Sequence, residues 1–280
     1  MIFNMEFKSN FAKMISWAIV LIILLGLMLA FYPFLAESQM NSLFNSVMES
    51  FNEPTRNILG VYEGMDIVNI GDYLALVYHY LAVLIFVFAM QLGASSLAKE
   101  QSSGNIEYIY SNPISKSEIV TGKIAANLLT YILFLIIMGL ATVGLVLGIS
   151  SIGIGASDTA EITSFEIFEA VVKVFVGLLG SGLVFMSIGY FFSSMSKSSL
   201  HQDAVAALFV FLIVLLTIVG KVMGDVFGMV VSYFPNEAFR PYSFVSADLN
   251  LFGIIANAVI FILMIAVSYT HLTLPTNREV

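Results

Sequence analysis

The chain has 280 residues, of which 59% are hydrophobic and 11% charged, with a formal net charge of −8 and no cysteine. Soluble domains carry about 25% charged residues, so this composition excludes an ordinary soluble fold. The absence of cysteine excludes disulfides and thiol chemistry, and the acidic balance argues against nucleic-acid binding.

Apolar runs cover residues 14–34, 73–97, 124–149, 169–192, 204–231 and 251–267. A membrane-spanning helix needs about 20 mostly apolar residues to cross ~30 Å of hydrocarbon. Five runs meet this length and the sixth is at the short limit, which predicts six spans in one all-α membrane domain over residues 1–267. The first run is too long for a signal-peptide core and has no small-residue cleavage site after it, so it stays in the protein. Trp17 at its inner end and Tyr32 at its outer end suit interfacial belts.

The segment "MNSLFNSVMESFN" after the first span places Met40, Leu43, Phe44, Val47, Met48 and Phe51 on one helical face. Such a helix lies either in the membrane interface or against the other spans. Between the third and fourth spans, Thr163 and Glu166 have the spacing of a capping box that starts the helix into span four. After span five, "SYFPNEAFRPYSFVSADL" carries Pro235 and Pro241 among aromatics, which predicts short broken helices.

Lysine placement sets the expected orientation. With the N-terminus inside, cytoplasmic segments carry Lys8, Lys13, Lys99, Lys116, Lys123 and Lys197, against Arg56, Lys173, Lys221 and Arg240 outside. Thirteen carboxylates fall outside and five inside, so the net negative charge belongs to the outer face. Both natural ends are then cytoplasmic, in a multi-pass protein of the cell membrane.

Polar groups within the spans are few. Glu169/Lys173 and Lys221/Asp225 are i,i+4 pairs of opposite charge near outer helix ends, read as self-paired or snorkelling residues. His79, Gln91, Asn127 and Asn257 are read as interhelical hydrogen-bonding residues, and the glycine stripes 220/224/228 and 144/148 as close-packing sites. Paired catalytic groups and zinc motifs are absent from the sequence, which argues against an intramembrane hydrolase. The polar residues lie mostly at span ends and the halves do not repeat, which argues against a secondary transporter. A non-transporting membrane scaffold is the other alternative. No catalytic, metal or cofactor-binding residue is expected.

The loop between spans two and three reads "KEQSSGNIEYIYSNPISKSEIVTGK" over residues 99–123. Ser115 and Glu118 form a capping-box pattern, flanked by Ile114 and Ile119 as a hydrophobic staple. Pro113 disfavours helix at Asn112, so one short helix ends there and another begins at Ser115. Upstream, Gly104 permits a turn, and "NIEYIYS" forms a short amphipathic helix showing Ile106, Ile109 and Tyr110. Apolar residues aimed at water suit a docking surface.

This loop resembles the cytoplasmic loop of type-2 ATP-binding-cassette (ABC) transporter permeases. The matching positions are Glu100, Gly104, Ile106 to Tyr110, Pro113, Ser115, Lys116 and the closing Gly122-Lys123. The resemblance implies that the short helix is a coupling helix docking on an ATPase subunit. Glu100, Gly104, Ile106, Ile109, Tyr110, Pro113, Ser115 and Lys116 would make that coupling surface. It further implies an exporter, and a second permease copy or paralogue to complete the pathway. Lys99 and Lys116 stand where the family usually has Arg. The chain lacks a phosphate-binding G-x-x-x-x-G-K-[ST] motif, so ATP would be bound by the partner chain. Residues 268–280, "SYTHLTLPTNREV", resemble translated sequencing-adapter read-through and are read as a non-native tail.

Overall fold

The structure is a computed structural model that describes residues 2–96, 115–151, 163–196 and 200–273. Every regular element among these residues is helical. In chain order they are α1 (Ile2–Leu29), α2 (Tyr32–Ala36), α3 (Ser38–Glu49), α4 (Glu53–Ile58), α5 (Ile70–Ala94), α6 (Lys116–Ser151), α7 (Ser164–Met195), α8 (Gln202–Met223), α9 (Asp225–Val231), α10 (Pro235–Ala238), α11 (Pro241–Val245) and α12 (Leu251–Thr273). Six helical stretches are long and apolar enough to cross a membrane: Ile2–Ala36, Ile70–Ala94, Ser117–Ile149, Ser164–Met195, Gln202–Met223 and Leu251–His271. The six predicted spans are therefore present with shifted boundaries, most of all at the first, which starts at Ile2, the third, which starts at Ser117, and the fifth, which ends at Met223.

The first helix begins at Ile2, far earlier than the apolar run. The reason is a buried stripe of Glu6, Asn10, Met14, Ala18, Leu21, Leu25 and Leu29, spaced by three or four residues along the face that packs on α6. Trp17 consequently sits near the middle of α1, packed on Phe88 at 6.1 Å between ring centres. Tyr32 follows the end of α1 and turns inward. It is buried against Tyr73 and its hydroxyl donates to the Val68 carbonyl at 2.7 Å.

Helix α5 is the centre of the bundle. Asn69 caps it by accepting from the amides of Gly71 and Asp72, and every residue from Ile85 to Ala94 is buried. A helix that is apolar all round has neighbours all round; here these are α7, α8, α1 and α6. Its closest partner is α7. A Cβ at Gly93 would collide with the Met186 carbonyl, and one at Gly189 with the Met90 carbonyl. The two backbones touch where both glycines meet. Phe86 stacks on Phe185 at 5.1 Å beside this crossing.

The remaining elements bear out or adjust the local patterns. Thr163 and Glu166 make the predicted capping box at the start of α7. Pro235 and Pro241 start α10 and α11, the expected short broken helices. Helix α3 has no buried residue, and Leu43 and Val47 on its apolar face are exposed. The glycine stripe on span five is not continuous. Gly224 adopts φ 67° and ends α8, and Gly220 instead receives Val231 from the returning α9. The space around Gly144 is open to 4 Å, so no close packing occurs there among the described residues.

Candidate functional site

The bundle has two ends. At one, the loop end, α5 stops and α6 starts, joined through residues 97–114. Each end carries a polar cluster, and the two differ in charge and in what they could do.

At the loop end, Ser115 and Glu118 form the predicted capping box. The Ser115 amide donates to Glu118 Oε2 at 3.0 Å, and the Glu118 amide donates to Ser115 Oγ at 3.3 Å. Two orphan amides are satisfied, so α6 has a defined start. Two turns later comes Lys123, whose side chain is 2% exposed. Its ammonium lies 2.7 Å from Glu6 of α1, itself 6% exposed, and donates to the Ser96 carbonyl at 2.8 Å. Four residues on, Asn127 donates to the Leu92 carbonyl at 2.9 Å and to the Tyr190 hydroxyl at 2.8 Å. Asn127 also accepts from Asn10 at 2.7 Å. Four helices (α1, α5, α6 and α7) are thus joined by one buried polar network. It lies beneath both roots of the 97–114 link, since Ser96 precedes that link and Lys123 follows it. A second tie nearby runs from Lys13 to Asp203 of α8 at 2.8 Å, and Gln91 donates to the Asp203 carbonyl at 3.2 Å.

At the opposite end, Lys221 of α8 pairs with Glu237 of α10 at 2.8 Å. The guanidinium of Arg240 stands 4.6 Å from the centre of the Tyr62 ring, within cation–π range. Tyr62 stacks on Tyr242 at 5.2 Å and places its hydroxyl 3.4 Å from His79 Nδ1. The other ring nitrogen of His79 lies 3.0 Å from the Ile58 carbonyl. Burial pushes the Tyr62 phenol well above its ordinary range, and Glu237 adds to the rise. Tyr242 is raised in the same direction by its own burial and then by Asp72. Both phenols therefore stay neutral and serve as ring surfaces and hydrogen-bond donors.

Of the residues singled out in the loop, Ser115 is placed as a helix cap and Lys116 begins α6. Glu100, Gly104, Ile106, Ile109, Tyr110 and Pro113 lie outside the described residues. Glu169 and Lys173 form the expected pair at 2.7 Å. The Lys221/Asp225 pair does not form: Gly224 breaks the helix between them and turns Lys221 to Glu237 instead. Asn127, Gln91, His79 and Asn257 all hydrogen-bond to other elements, Asn257 through the Tyr233 carbonyl at 2.8 Å. The Glu6–Lys123 pair was not foreseen. Lys123 reads in sequence as an ordinary cytoplasmic lysine, and its partner is 117 positions away. Among the described residues there is no group of three or more His, Asp or Glu able to hold a metal ion.

Six apolar spans, one of them a largely buried central helix, with polar knots at both ends, define a multi-pass membrane protein. The family model of the ABC-2 family transporter protein matches residues 1–273, and the chain belongs to that family. It is a membrane permease of an ABC transporter, a transport subunit whose family implies an ABC ATPase as partner. No curated protein and no solved structure matches the chain.

Proposed function

We propose that the protein is the membrane-spanning subunit of an ABC exporter, driven by a separate ATPase that docks on the 99–123 loop. In this reading Ile106, Ile109 and Tyr110 are the apolar anchors and Glu100 meets a basic group on the ATPase. Gly104, Pro113, Ser115 and Lys116 set the angle and edge of the docking helix. Nucleotide is bound by the ATPase chain. A second copy or a paralogue completes the pathway, and the loop end faces the cytoplasm together with the N-terminus.

The observation that supports this reading best is the network under the loop. Lys123, which follows the link, holds both the Ser96 carbonyl that precedes it and Glu6 of α1, and Asn127 joins α5, α6 and α7 within the next turn. A displacement of the loop is then shared by four spans and not absorbed by one. Buried, hydrogen-bonded polar groups transmit strain because separating any one of them leaves an unpaired group in low dielectric.

The test is co-purification with the ATPase. Truncating a buried interface anchor commonly costs about 2 kcal/mol or more, roughly thirtyfold in affinity. The Ile109→Ala/Tyr110→Ala double variant is expected to insert normally, lose the ATPase and lose stimulated ATP hydrolysis. Retained ATPase binding by this variant would overturn the coupling assignment.

A further inference from the structure

A pocket of about 70 Å³ lies at the end of the bundle opposite the loop, between α5, α8 and the short helices α10 and α11. A water occupies about 30 Å³ of liquid, so the space suits an anionic group and the first carbons of a chain, not a whole lipid. Its lining changes character from one end to the other. On α5 it runs from His79 to Phe86, and on α8 from Lys221 to Val214. Each stretch covers two helical turns, about 10 Å. Lys221, Glu237 and Arg240 make one end polar, and Val83, Phe86 and Val214 make the other apolar.

The charges at the polar end do not cancel. Lys221 is matched by Glu237 at 2.8 Å. Arg240 has no carboxylate within ion-pair distance among the described residues. It faces the Tyr62 ring, and its Nε donates to Ser243 Oγ at 2.6 Å. The fork of its two terminal nitrogens is left for another acceptor, which is the geometry that takes carboxylate or phosphate in pairs of hydrogen bonds. His79 is already engaged at both ring nitrogens, with the Ile58 carbonyl at Nε2 and the Tyr62 hydroxyl at Nδ1. This cation, without an ion pair among the described residues lining the pocket, sits in a molecule of net charge −8.

We propose that this pocket binds the anionic end of an amphiphile, a carboxylate or phosphate carried on an apolar chain. Arg240 takes the charge with Lys221 beside it, and the first carbons lie against Val83, Phe86, Val214 and Ile218. The site is built by this chain alone, so it stands or falls without the ATPase.

The probe is decanoate, titrated by calorimetry into the full chain in an uncharged detergent. Saturable binding is expected, and a charge-assisted hydrogen bond is worth about 1.5–3 kcal/mol, so decanol should bind roughly tenfold more weakly or worse. Arg240→Gln should weaken decanoate to the same degree, and Arg240→Lys should restore part of it. Val214→Trp should abolish binding by filling the apolar end. Equal binding of decanol and decanoate by the unaltered chain would overturn the proposal, and needs no variant to fold. Inorganic phosphate binding as tightly as decanoate would also overturn it, because the apolar end would then contribute nothing. Displacement of decanoate by phosphatidylglycerol in nanodiscs would assign the site to a membrane lipid. Unchanged decanoate binding in those nanodiscs would assign it to a soluble amphiphile.

Discussion

Lys123 is the most deeply buried charge among the described residues, and burying it costs several kcal/mol before any partner is counted. Glu6 at 2.7 Å and the Ser96 carbonyl at 2.8 Å offset that cost. Removing one partner leaves the other charge unmatched in the interior, which typically costs about 3–5 kcal/mol, whereas replacing both with apolar groups of similar volume is often neutral. Lys123→Met and Glu6→Met are each expected to lower the thermal midpoint sharply, and the double variant is expected to recover most of the loss. If the double variant falls by the sum of the singles, the pair is not a closed unit. A recovered double variant that inserts but no longer transports would separate the network's role in coupling from its role in stability.

At the scale of elements, Gly224 decides how the chain turns after span five. Its φ of 67° with ψ of −161° lies in a region that only glycine occupies readily, and other residues cost about 1–3 kcal/mol there. A Cβ at this position meets nothing within 4 Å, so Gly224→Ala is expected to destabilise through the backbone alone. A fall in thermal midpoint equal to that cost, with the Lys221–Glu237 pair loosened, is the expected result; an unchanged midpoint would mean the turn adapts. Helix α12 poses a question of length. It runs to Thr273, where ending at residue 267 would leave 17 residues, about 25 Å of helix against ~30 Å of hydrocarbon. We propose that residues 268–280 supply length and no specific function. Replacing them with an unrelated polar sequence should leave insertion and transport unchanged, because the adjacent interface tolerates polar residues. A selective loss of transport would show a specific role. The spans and both capping boxes were legible in the sequence because each depends on neighbours within a few positions. The Glu6–Lys123 pair, the Gly93–Gly189 crossing and the choice of Glu237 over Asp225 were not. Each depends on which helices meet, and the break at Gly224 moves Lys221 away from its nearest sequence partner.

For the whole molecule the open question is which face meets the cytoplasm, and the charge distribution argues for one answer. Glu6 of α1 lies beside Lys123 at the start of α6, so the chain's first turns share an end with the 97–114 link. Six crossings bring the end of α12 to that same side. Among the described residues, Lys8, Lys13, Lys116 and Lys123 lie at this end, and short segments rich in lysine stay in the cytoplasm during insertion. Most carboxylates of the described residues lie at the other end, among them Glu49, Glu53, Glu63 and Asp66 around α3 and α4. Because the chain has no cysteine, single introduced thiols report position without background. Glu49→Cys is expected to react with a membrane-impermeant maleimide on intact cells, since Glu49 ends an exposed helix. Ser103→Cys is expected to react only after the membrane is opened. The reverse pattern would place the loop outside, where no ATPase could reach it, and would remove both the orientation and the coupling reading together. Labelling of both thiols from outside would instead indicate a mixed population, in which a lysine bias this small fails to set one orientation.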